Sequence, residues 1–128
     1  MILHITTHKE WEKARQEGEY TAPSLKHEGF IHCSTIEQTV DTANLFFKGQ
    51  KGLVLLCIDE NKLKSGCKYE DPAGGGQHDP RTGNLFPHIY GPINLPAVIK
   101  AVDFPADDNG VFVMPGGICK HFINNIRN

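Results

Sequence analysis

Leu53-Val54-Leu55-Leu56-Cys57-Ile58 is continuously apolar. So short an unbroken run is the pattern of a strand covered on both faces, whereas a half-buried strand alternates. Such a strand needs a partner along each edge and a layer against each face, and the flanking sequence is read for them. Upstream, Met1 to Thr6 alternates and is rich in β-branched residues, which predicts a strand. Thr7 with Glu10 three residues later forms a capping box, Trp11 and Ala14 share a face, and Gly18 supplies a left-handed exit, so a helix follows. Tyr20 to Glu28 carries Pro23 and ends at Gly29, the composition of a loop, and Phe30 to Cys33 reads as a short strand. Thr35 with Gln38 is a second capping box, with Ser34 and Glu37 an equally good frame. Ile36, Val40, Ala43 and Phe47 then form one apolar helical stripe that Gly49 terminates.

Downstream, Asp59 to Ser65 reads as a turn and Gly66 to Glu70 as a strand. Residues 72–84 are Gly/Pro-rich and almost free of apolar side chains, which predicts a long loop of the kind that carries binding residues. Strands are expected at Phe86 to Tyr90, Ala97 to Phe104 and Val111 to Met114, the last two joined across the Asp107-Asp108-Asn109-Gly110 turn. Ile118, Phe122 and Ile126 suggest a short terminal helix. Roughly six or seven short strands and two or three helices, without regular alternation, predict an α+β fold. One domain, 1–128, accommodates the whole chain.

Composition narrows the function classes. With 39% hydrophobic and 22% charged residues the chain is neither disordered nor fibrous. A net charge of −2 supplies no field for a stable nucleic-acid complex or for an anionic membrane. Leu53 to Ile58, the longest apolar run, is far below the ~20 residues of a membrane helix. No signal peptide is visible at Met1 to Ile5, and Cys33, Cys57, Cys67 and Cys119 form no C-x-x-C pair. Together these features predict reduced thiols and a cytoplasmic location.

Of seven histidines, His4, His32 and His88 fall on predicted strands. By the two-residue period of a strand, His4 shares a face with Thr6, His32 with Ser34 and His88 with Tyr90. A histidine beside a hydroxyl residue on three strands predicts one shared polar cleft; His8, His27, His78 and His121 fall on helices or loops and are read as solvated. A zinc site would need ligands converging from separate strands, such as His4, His32, Cys33 and His88, and no metal is expected. His32 cannot activate Cys33 as a nucleophile, because neighbours on a strand face opposite sides. Gly74-Gly75-Gly76 lacks the lysine and the following helix of a phosphate loop. Glu70, at the entry to the 72–84 loop, is one carboxylate near the predicted cleft.

His4-Ile5-Thr6, Gly29-Phe30-Ile31-His32-Cys33-Ser34 and Phe86-Pro87-His88-Ile89-Tyr90-Gly91-Pro92 together resemble a small bacterial family catalogued as a domain of unknown function, whose fold is of the ADP-ribosyltransferase type. The resemblance spans roughly residues 2–115. His4-Ile5-Thr6 is similar to the His-Gly-Thr motif of the poly-ADP-ribose type and to the His-Ile-Thr start of the DNA-modifying type. The resemblance implies two small split β-sheets forming a cleft for NAD as co-substrate, with helices packed outside. It implies further that His4, Thr6, His32 and Ser34 hold the nucleotide while Glu70, His88 and Tyr90 stand at the reaction centre. The late strand, where that fold places its catalytic Glu, offers His88 and Tyr90 instead. The expected activity is NAD-dependent ADP-ribosyl transfer or NAD glycohydrolysis, and the expected partner is a small-molecule nucleotide. A non-catalytic nucleotide- or ligand-binding module and a zinc-dependent hydrolase are the alternatives.

Overall fold

A computed structural model of the chain describes residues 1–72, 85–116 and 118. In chain order its elements are β1 (Ile2–Thr7), α1 (His8–Glu17), β2 (Glu19–Tyr20), α2 (Pro23–Glu28), β3 (Ile31–His32), α3 (Ile36–Phe46), β4 (Leu53–Ile58), β5 (Gly66–Glu70), β6 (Phe86–Tyr90), β7 (Ile93–Asn94) and β8 (Val98–Asp103). Single 3-10 turns at Glu60–Lys62 and Leu95–Ala97 join the strands that flank them.

The apolar run is the centre of the molecule. Every residue of β4 is buried, and the strand lies between β1 and β8, antiparallel to both. Its alternate side chains feed two separate cores. Val54, Leu56 and Ile58 join Ile2, Ala14, Tyr20, Ile31, Cys33 and Ile89 on one face. Leu53, Leu55 and Cys57 join Leu3, Ala43, Phe104, Phe112 and Ile118 on the other. The first core is closed by α1 and by a second three-stranded sheet, β3-β6-β5; the second core is closed by α3 and the segment after β8. A two-stranded ribbon, β2-β7, completes a small α+β domain of mostly antiparallel sheets.

Local signals act as read. The Thr7 side chain accepts from the Glu10 N–H and Gly18 exits α1 in the left-handed region at φ 89°. At α3 the Gln38 side chain accepts from the Thr35 N–H at 2.9 Å, one half of a capping box, and its amide also donates to the Leu85 carbonyl, tying the helix start to the entrance of β6.

Three expectations are corrected. Tyr20 to Glu28 is not all loop: Pro23 stands at the first turn of α2, where its missing N–H costs nothing, and Tyr20 belongs to β2. Val111 to Met114 forms no strand: Phe112 alone pairs, with Ala106, while Val111 and Val113 are exposed. The sheets described are three rather than two, because β2 and β7 pair only with each other. Positions 73–84, which include Gly74 to Gly76 and nearly all of the expected loop, lie outside the described residues, as do Phe122 and Ile126.

Candidate functional site

The second sheet has one apolar and one polar face, as strand alternation requires. Ile31 and Ile89 point inward to the core, with Cys67 packed against them. On the opposite face β6 carries His88 and Tyr90, β5 carries Lys68 and Glu70, and β3 carries His32. These outward groups interlock. His88 Nδ1 lies 2.9 Å from Glu70 Oε1, and the Tyr90 hydroxyl donates to the same oxygen. Glu70 is 1% exposed and His88 0%, whereas Tyr90 is 37% exposed, so the cluster runs from a buried acid to the surface.

Phe30 supplies the cover. Its ring stacks on the His88 imidazole at 4.1 Å between centroids and also lies 5.5 Å from the Tyr90 ring. His32 stands opposite His88 in the β3-β6 register and meets it edge to face at 5.2 Å. The His32 ring is itself exposed and bonded through Nε2 to Glu28 Oε2 at 2.8 Å. Lys68 reaches over the Tyr90 ring at 5.1 Å.

A carboxylate only accepts, so the Glu70 bond makes His88 the Nδ1–H tautomer and leaves a lone pair on Nε2. That Nε2 is the one buried side-chain polar atom among the described residues without a hydrogen-bond partner. Burial lowers the His88 pKa from its ordinary value, more than the Glu70 hydrogen bond raises it. The imidazole at this site is therefore neutral near pH 7.

His4 faces the first core, not solvent. It is 7% exposed, with Nδ1 2.6 Å from the His32 carbonyl and Nε2 2.7 Å from the Tyr20 hydroxyl, which lies 2.9 Å from Thr6 Oγ1. Ser34 is also buried, and its backbone exchanges two hydrogen bonds with Leu3, joining the edge of β1 to the chain beyond β3. The structure thus brings the predicted residues into two neighbouring groups. His32, Glu70, His88 and Tyr90 share the outer face of the second sheet, while His4, Thr6 and Ser34 lie at the seam between the two sheets. His4 and His32 meet through a backbone carbonyl rather than across a cleft, because β1 has core on both faces.

Tyr20, Phe30 and Glu28 were not foreseen. Phe30 sits two residues before His32, so strand alternation could have placed it on the same face. Tyr20 carries no local signal. Burial pushes the Cys33 thiol well above its ordinary pKa, consistent with an inert core residue. No group of three or more metal-ligating side chains occurs among the described residues, and no described helix is long and apolar enough to cross a membrane. Two surface hollows, one between Gly49–Gly52 and Pro105–Gly110 and one beside α2, lie apart from the cluster.

The family described as "Protein of unknown function (DUF952)" matches residues 5–101. Among solved structures, the crystal structure of protein CC0527 from Caulobacter crescentus is similar to this chain at 31% identity and a TM-score of 0.76, covering 95% of this chain and 97% of that one. A double mutant of CC0527 matches with the same TM-score at 30% identity. The solution NMR structure of CC0527 matches at 30% identity and a TM-score of 0.65, over 86% of this chain and 89% of that one. No curated protein matches.

Proposed function

Since the chain belongs to the DUF952 family of proteins of unknown function, we propose from the chemistry of its own site an enzyme of ADP-ribosyltransferase type that cleaves the nicotinamide–ribose bond of NAD. The observation that carries this reading is His88 Nε2, a buried lone pair without a partner among the described residues, on a ring whose other nitrogen is held by Glu70. A neutral histidine oriented by a carboxylate is the arrangement of a general base. In favour of this reading, the two three-stranded sheets, β1-β4-β8 and β3-β6-β5, are split and bridged at Leu3 and Ser34 beside His4.

NAD supplies a bond that breaks with its electron pair leaving on nicotinamide while positive charge develops on the ribose. The Glu70 carboxylate is the anion suited to stabilise that charge. His88 Nε2 accepts the proton of the acceptor, a hydroxyl or a water, as the acceptor oxygen bonds to the ribose carbon. Tyr90, half exposed and bonded to Glu70, aligns the carboxylate. Phe30 and His32 cover His88, so a substrate reaches Nε2 only when that cover shifts. His4 and Thr6 act from behind, in the seam, and hold β3 rather than touch the nucleotide.

The purified chain is incubated with millimolar NAD and free nicotinamide is measured, together with Glu70→Gln and His88→Gln. The expected result is release by the wild type and a loss of roughly 100-fold or more in either variant. The absence of both binding and nicotinamide release at millimolar NAD would sink the proposal. Binding without release would favour a non-catalytic nucleotide-binding module, the reading favoured by the complete burial of His88.

A further inference from the structure

β3 is the edge strand of its sheet, in the order β3-β6-β5. Cys33 N–H donates to the Pro87 carbonyl. Antiparallel bonding alternates, so the His32–His88 pair between successive bonded pairs is a non-bonded one, and the His32 carbonyl points away from β6. An edge carbonyl directed into a dry seam needs a donor. His4 Nδ1 is that donor, at 2.6 Å. A carbonyl carries no proton, so the proton of this bond is on Nδ1.

The rest follows by counting protons. His4 is buried, and burial lowers its pKa to about 4, so a single proton remains on the ring at neutral pH and it is the one on Nδ1. Nε2 must then accept, and its neighbour at 2.7 Å is the Tyr20 hydroxyl. Tyr20 has one proton to give and gives it to His4. Its oxygen accepts in turn from Thr6 Oγ1, at 2.9 Å. The chain runs one way, from Thr6 through Tyr20 and His4 to the His32 carbonyl. The residues that precede and include that carbonyl, Phe30 and His32, are the ones whose rings cover His88.

We infer that Tyr20 is a positioning residue: its single hydroxyl proton fixes the tautomer of His4, and His4 in that form clamps the His32 carbonyl and with it the Phe30–His32 cover of His88. The clamp stands on the hydrogen-bond geometry of the seam and the burial of His4; its effect on turnover rests on the NAD-cleaving reading above.

The test uses the full chain with ring-¹⁵N-labelled histidine, comparing wild type, Tyr20→Phe, Thr6→Val and Thr6→Ser at about pH 7. In the wild type His4 shows a protonated Nδ1 and a bare, hydrogen-bonded Nε2. In Tyr20→Phe the Nε2 resonance moves to the position of an unbonded bare nitrogen, and amide exchange in residues 31–33 accelerates roughly tenfold or more. Thr6→Val shifts Nε2 in the same direction and Thr6→Ser restores it, which keeps the test open should Tyr20→Phe fold poorly. With NAD, Tyr20→Phe lowers the kcat of nicotinamide release roughly tenfold to 100-fold and leaves KM unchanged. A His4 protonated on Nε2, or on both nitrogens, overturns the clamp, and so does an Nε2 resonance that neither Tyr20→Phe nor Thr6→Val moves. The labelling experiment needs no substrate. A chain without nicotinamide release loses the enzyme reading alone, and a wrong tautomer loses the clamp alone.

Discussion

Acid should destabilise this protein through His4, by an amount the structure sets. Burial is the largest cause of its pKa falling from 6.5 to about 4; the bond to the His32 carbonyl opposes the shift, and the nearby His32 charge adds to it. The unfolded chain exposes the imidazole, which then takes up a proton near its ordinary value, while the folded chain resists protonation until about pH 4. Between those values the unfolded state binds more protons, so stability falls as the pH falls. The contribution is fully present above about pH 6.5 and has gone by about pH 4. Integrating the two values 6.5 and 4 from about pH 7.5 to about pH 4.5 gives a loss of about 2.5 kcal/mol from this one residue. The lowered pKa of His88 acts in the same direction.

Carboxylates also begin to titrate over this range, so a difference measurement is required. Urea unfolding of the wild type and of His4→Asn is compared at the two pH values. Asparagine offers an N–H to the His32 carbonyl but takes up no proton, while the His32–Glu28 pair and His88 remain in both chains. His4→Asn is expected to be less stable at about pH 7.5, because the Tyr20 hydroxyl loses its acceptor, and to lose about 2.5 kcal/mol less than the wild type on acidification. Equal acid losses in the two proteins would refute the neutral, buried state of His4 from which the proton count in the seam proceeds.

Two further substitutions probe the frame around the site. At Gly91, φ is 157°, and an added Cβ would fall inside contact distance of Ser65 Oγ and 3.0 Å from Ser65 Cβ. Ser65 Oγ donates to the Pro92 carbonyl at 2.6 Å, so Gly91→Ala should displace it and cost about 1–3 kcal/mol in urea unfolding. Ser65→Gly in the same chain should recover the steric part, and a neutral Gly91→Ala would contradict the close approach. Asn44 holds both backbone groups of Phe112, accepting from its N–H at 2.8 Å and donating to its carbonyl at 3.1 Å. Asn44→Ala should lower stability by about 1–3 kcal/mol and Asn44→Asp, which keeps only the acceptor, by less; equal thermal shifts in the two variants would remove the accepted bond from the account.

The parts of the fold legible in the sequence are those whose cause is local. Thr7, Glu10 and Gly18 bound α1 within one short stretch, and the unbroken Leu53–Ile58 run can satisfy its side chains only at the centre of a sheet. The parts that escaped were decided elsewhere in the chain. Pro23 reads equally as a breaker and as a first-turn residue, and α2 buries none of its side chains, so no apolar stripe marks it. Val111 to Met114 has strand composition but, among the described residues, finds no neighbour to pair with beyond the single Ala106–Phe112 bridge. Glu70 was foreseen as the nearby carboxylate, and its closeness to His88 follows from the β5-β6 register, which sets Lys68 opposite His88 and Glu70 opposite Phe86.

The histidines show most clearly where alternation stops being informative. It correctly separates the face of β6 that carries His88 and Tyr90 from the face that carries Ile89, because only one side of that sheet meets the core. Applied to β1 it separates His4 and Thr6 from Leu3 and Ile5 equally well, yet both faces of that strand are packed. A polar stripe on a strand therefore predicts a cleft only if the opposite layer leaves room, and here that layer supplies Tyr20 and an edge carbonyl instead. The cost of burying His4 is offset because the His32 carbonyl and the Tyr20 hydroxyl satisfy both of its nitrogens. His88, one strand pair away, has only one nitrogen satisfied among the described residues. Two histidines of similar burial thus differ in the single respect that matters for chemistry: the first has no lone pair left to offer, and the second does.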